Sequence, residues 1–88
     1  MICKRYKWSR ENIRQARRAH LPSLLRREGL SLRDLGGGNF ELLDRPGLIV
    51  KNSYWRWPGQ DRQGNTIDLF VEVLNRSFDD AMSTIHHA

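Results

Sequence analysis

The sequence predicts an α+β domain: a small three-stranded antiparallel sheet, with a helical segment before it and two helices after it that pack on it. Three observations carry this. Apolar residues recur at helical spacing at both ends of the 88-residue chain. Three short runs rich in β-branched and aromatic residues occupy the middle. Turn residues separate those runs.

The helical segment comes first. Ser9 is a candidate N-cap, with Glu11 in the first turn, for a helix over residues 10–19. Ile13, Ala16 and His20 supply its sparse apolar side. Pro22 suits the first turn of a second helix over 22–28, with Leu21, Leu24 and Leu25 as its apolar face and Gly29 as its stop. The two can equally be one bent helical segment.

The sheet follows. Gly36-Gly37-Gly38 breaks any helix and reads as a flexible connector. Asn39–Leu43 is a short strand, and Asp44-Arg45-Pro46-Gly47 is a turn signal. Leu48–Lys51 is a second strand, Asn52-Ser53 a polar turn, and Tyr54–Trp57 a third strand ended by Pro58-Gly59.

The chain then returns to helix. Asn65 is a cap, with Asp68 completing a capping box. Ile67, Phe70, Val71 and Leu74 form a buried stripe at i, i+3, i+4, i+7. Ser77 caps a last helix, with Asp79 and Asp80 in its first turn and Phe78, Ala81, Met82 and Ile85 as its apolar side.

Size and charge narrow the function. A chain this short buries only roughly 60–65% of its unfolded surface. Its single cysteine, Cys3, excludes an internal disulfide and fits a reducing, cytoplasmic setting. No apolar run is long enough to span a membrane, and MICKRYKWSR lacks the core of a signal peptide. Residues 1–33 carry ten Lys/Arg against two Glu, a net +8. Residues 34–88 carry five against eight Asp/Glu, a net −3, and together they give +5. A basic end on a mildly acidic body points to a polyanion partner. We read residues 1–9 as a basic tail and 10–88 as one domain, the N-terminal part of a longer protein.

Candidate contacts fall in two groups. Arg10, Arg14, Arg17, Arg18, Arg26 and Arg27 suit phosphates, which position a strand without reading sequence. The bland alternative is a solvated basic helix face. Tyr54, Trp55, Arg56 and Trp57, followed by Arg62, form an aromatic–basic run. In a strand, Trp55 and Trp57 share one face and Tyr54 and Arg56 the other. Either the tryptophans are open and bases stack on them, or they are core and Tyr54 and Arg56 are the exposed pair. The glycine run lacks the Lys-Ser/Thr of a P-loop. Asp79-Asp80 is explained by helix-start electrostatics, and His86-His87 by a terminal surface. No nucleophile–base pair stands out, so the chain alone is read as non-catalytic and without a small-molecule substrate.

The run from Tyr54 and Trp57 through Gly64, Asn65, Ile67, Asp68, Phe70 and Val71 to Ser77, Phe78 and Ala81 resembles the zinc-binding N-terminal domain of bacterial DNA primases. The resemblance covers residues ~20–86 and is strongest over 54–85. It implies a zinc-ribbon-like sheet. The family's zinc ligands are missing: residues 40–65 contain no cysteine and no histidine, and Arg56 and Gly59 stand near the expected cysteines. Structural zinc needs four N/S ligands at suitable spacing, so no zinc or other cofactor is expected. Such zinc-less versions resemble the N-terminal modules of primase-like proteins of plasmids and conjugative elements, which precede a Toprim catalytic domain. The resemblance implies a module that positions single-stranded DNA for that catalytic domain. The alternative is a protein-interaction module that docks on its own Toprim domain or on a helicase.

Overall fold

The computed structural model describes residues 8–86. Ser9 starts the first helix, α1 (Arg10–Arg17), with a closed capping box. The Ser9 hydroxyl accepts from the Asn12 N–H at 3.0 Å, and Asn12 Oδ1 accepts from the Ser9 N–H at 3.1 Å. Helix α2 (Leu21–Arg27) is separate. His20 is its N-cap rather than part of the apolar side of α1: its Nδ1 accepts from the Ser23 N–H at 3.3 Å. Pro22 stands in the first turn, where its missing N–H leaves nothing unpaired. Leu21, Leu24 and Leu25 are buried, as their spacing predicts.

The α+β class holds, but the sheet has five strands instead of three. They are β1 (Leu32–Gly36), β2 (Asn39–Leu42), β3 (Ile49–Val50), β4 (Tyr54–Trp57) and β5 (Arg62–Asn65), in sequential antiparallel order. The glycine run is a tight hairpin between β1 and β2. Gly37 and Gly38 have φ of 62° and 81°, the left-handed pair that a two-residue hairpin turn demands. Asp34 Oδ1 accepts from the Gly36 N–H at 2.8 Å and closes the turn from one side.

Register sorts the sheet into two faces. Asp34, Phe40, Val50, Trp55 and Gly64 pair across all five strands on one face. Arg33, Glu41, Ile49, Arg56 and Gln63 pair across the other. The first face meets the helices: Trp55, Val50, Leu42 and Leu48 join one core with Ala16 of α1, the leucines of α2 and the C-terminal helices.

Asn65 and Asp68 make the expected capping box, at 3.0 and 3.1 Å, and open α3 (Thr66–Asp68). The helix then widens over Leu69–Val73, where the Leu74 N–H donates to the Leu69 carbonyl five residues back, at 3.1 Å. This wider turn rotates the stripe. Leu69, Phe70 and Val73 are buried with Ile67, while Val71 and Leu74, expected in the core, are half-buried. Asn75, at φ 57°, ends it in the left-handed conformation that asparagine tolerates.

Helix α4 (Phe78–His86) buries Ala81, Met82 and Ile85. Phe78, also expected in the core, is 44% exposed. Of the expected basic tail, residues 1–7 lie outside the described residues. Trp8 belongs to the fold: its ring stacks on His86 at 5.4 Å, and its Nε1 donates to Asp79 Oδ1 at 3.0 Å. Among the described residues no helix is long and apolar enough to cross a membrane.

Candidate nucleic-acid interface

Strand β4 decides which aromatic residues a ligand can reach. Trp55 is fully buried, and its Nε1 donates to the Asn65 carbonyl at 2.9 Å. Trp57 is half-buried on the same face, with its Nε1 on the Pro46 carbonyl at 3.2 Å. Trp55 is therefore corrected as a stacking candidate, because its ring lies in the core, while the half-buried Trp57 ring lies against the Pro46–Gly47 turn. Their neighbours Tyr54 and Arg56 point to the opposite face, which no helix among the described residues covers, and Tyr54 is 38% exposed. The Tyr54 hydroxyl donates to Gln63 Oε1 at 2.8 Å, which fixes the ring across the β4–β5 ladder.

Beside this pair the open face carries a shallow groove of about 220 Å³, lined by Asn39, Ile49, Lys51, Tyr54, Arg56 and Pro58. A second, more polar groove of about 290 Å³ is lined by Arg56, Pro58, Asp61, Arg62 and Gln63. Arg56 lines both. The arrangement presents an apolar floor with one aromatic ring and two cations, Lys51 and Arg56. An unstacked base can lie on the floor while its phosphates meet the cations.

The carboxylate in the central row is ionised but paired. Glu41 accepts from the Gly47 N–H at 3.0 Å and pairs with Arg33. The Gly47 hydrogen bond first, then the Arg33 hydrogen bond, holds its pKa below the ordinary 4.5. The open face therefore offers little negative charge to repel an anion. Asp61, in the second groove, is the exception.

Of the remaining predicted residues, Arg62 lines the second groove, with its Nη2 on Glu72 Oε1 at 3.2 Å. Arg10, Arg14, Arg17, Arg18, Arg26 and Arg27 are all exposed, on the helical layer. Arg14 pairs with Glu11 at 3.1 Å, and the Arg26 guanidinium lies 5.1 Å from the Phe40 ring centre. Sequence reasoning missed Asn39, Ile49, Lys51 and Pro58 as groove residues. A signal existed for Ile49 and Lys51, which alternate along one face of the second predicted strand. Asn39 comes from β2, which only the register brings to the groove.

Among the described residues, no three His, Cys, Asp or Glu side chains gather as a metal site. Cys3 and His87 lie outside those residues. No protein-family model, no curated protein and no solved structure matches this chain.

Proposed function

We propose that the chain is a non-catalytic nucleic-acid-binding module that holds single-stranded DNA on its open sheet face. The observation that carries this reading is the grouping of Tyr54, Lys51 and Arg56 around one apolar groove on the sheet face opposite the described helices. A duplex hides its bases in the stack, whereas a single strand can turn a base onto Tyr54. The resemblance over 54–85 extends the reading. It makes the domain a zinc-less, ribbon-like module of a primase-like replication or mobilisation protein, cytoplasmic, serving a separate Toprim catalytic domain.

A second reading has its own support. Ile13, Arg17, Ile67, Val71 and the exposed Phe78 line a groove of about 250 Å³ on the helical layer, suited to a protein surface such as that Toprim domain or a helicase.

Anisotropy of a labelled oligonucleotide, titrated at several salt concentrations, separates the two readings. Phosphate contacts to a single strand give a log–log salt slope of about −0.7 per contact. Arg56→Gln should flatten the slope by about one such contact, and Tyr54→Ala should weaken binding by roughly 1–3 kcal/mol. Salt-independent binding, or none at low salt, favours the protein-docking reading.

A further inference from the structure

We infer that the arginines of α1 and α2 form a second site for a phosphate backbone, so that one chain holds two single strands at once. This rests on the reading of the open face as a nucleic-acid site. Residues 10–28 carry six arginines against two glutamates, a net +4. The glutamates do little to quench that charge: Glu11 pairs with Arg14, and Glu28 pairs with Arg76, which belongs to neither helix.

Helix stability accounts for part of the pattern. Arg14, Arg17, Arg26 and Arg27 sit in the last turns of their helices, where cations complement the helix dipole. Arg10 runs against that logic. It is the first residue of α1, where a cation is unfavourable, and it is exposed. Arg18, the C-cap residue, is exposed too. Arg17 lines the same groove as Asp68. Arg10, Arg18 and Arg27 are exposed and pair with no carboxylate among the described residues.

Geometry separates the two sites. The helices pack on the sheet face that carries Trp55, and Tyr54 and Arg56 occupy the opposite face. A short strand lying on one surface leaves the other free. The chemistry of the helical site is guanidinium to phosphate with no aromatic platform, so it should ignore base identity and respond steeply to salt.

The test uses the whole chain with single strands of about eight nucleotides, within the roughly 4–16 that such sites cover. Native mass spectrometry at low salt reads the stoichiometry. Energy transfer between donor- and acceptor-labelled strands reads bridging. We expect a species of one chain with two strands, together with energy transfer. The variant R10Q/R18Q/R27Q should reduce this to one strand and abolish transfer, while the amide shifts of β3 and β4 on binding persist. One strand per chain in the unaltered protein overturns the inference, and with the amide shifts at β3 and β4 present it leaves the open-face reading standing. The triple variant still binding two strands also overturns it. No strand bound at all overturns both.

Discussion

The Trp55 indole N–H donates to the carbonyl oxygen of Asn65 at 2.9 Å, so the most buried ring of the sheet is tied to the residue that caps α3. One side chain thus joins the sheet, the core and the start of the C-terminal helices. The two residues lie ten apart in sequence but on adjacent strands. Trp55→Ala should cost about 3–5 kcal/mol, the usual range for emptying a buried aromatic site. Trp55→Phe should cost less, about 1–3 kcal/mol, mostly from the Asn65 carbonyl left without its donor. Trp57→Ala, on a half-buried ring, should cost less than Trp55→Ala. Urea midpoints at constant m-value measure all three. A larger loss at Trp57 than at Trp55 would contradict the assigned burial.

Gly64 stands opposite Trp55 and leaves room for the capping box. A Cβ added there would lie 2.6 Å from both Cβ and Oδ2 of Asp68. Asp68 would have to move, and its 3.1 Å bond from the Asn65 N–H would be lost. We expect Gly64→Ala to destabilise by about 1–2 kcal/mol, the cost of a lost cap. Asp68→Ala should cost a similar amount. The double variant should cost less than the sum, because both act on one hydrogen bond.

The depressed pKa of Glu41 makes a pH prediction. Its carboxyl titrates below the ordinary 4.5 in the folded chain, because the ionised form accepts from Gly47 and Arg33. Its contribution is therefore present above that ordinary value, and is lost as the pH falls through the lower folded one. Glu41→Gln should remove this part of the acid dependence. Stability profiles of the two proteins should separate above the ordinary 4.5, with the unaltered chain the more stable, and converge only as the pH falls through the lower folded value. Profiles that stay parallel across that range would show that the Glu41 bonds do not contribute.

No zinc enters this account, so the melting temperature should not change on adding a chelator. A fall of several degrees would require a bound metal, because binding to the folded state alone raises apparent stability.

The sequence made the helices and the central strands legible, because their signals are local. Ser9, Pro22 and the Asn65–Asp68 pair each mark a terminus through a bond to their own backbone neighbourhood. The outer strands were hidden for different reasons. The Gly36-Gly37-Gly38 run reads as slack, yet a glycine pair between Arg33 and Phe40 is also a hairpin signal. Strand β5 is Arg62-Gln63-Gly64-Asn65, with no apolar alternation, and exists through its pairing with β4. Val71 was misplaced because the widened turn over Leu69–Val73 shifts the helical phase, which a fixed 3.6-residue period does not follow; Phe78 is exposed because it is the first residue of α4, while Ala81, Met82 and Ile85 keep the expected phase. At the candidate site, alternation within β4 reduced the choice to two faces. Packing of Trp55 against the helices then selected Tyr54 and Arg56 as the open pair.

The most direct test of the central claim is a backbone amide titration with a short single-stranded DNA at low salt. The account predicts shifts concentrated at residues 49–51, 54–58 and 63, which frame the groove on the open face, and their loss in the Tyr54→Ala/Arg56→Gln variant. It also predicts that raising the salt reverses them. Saturating shifts confined to the α3–α4 groove, around Val71 and Phe78, with the open face unmoved, would contradict it.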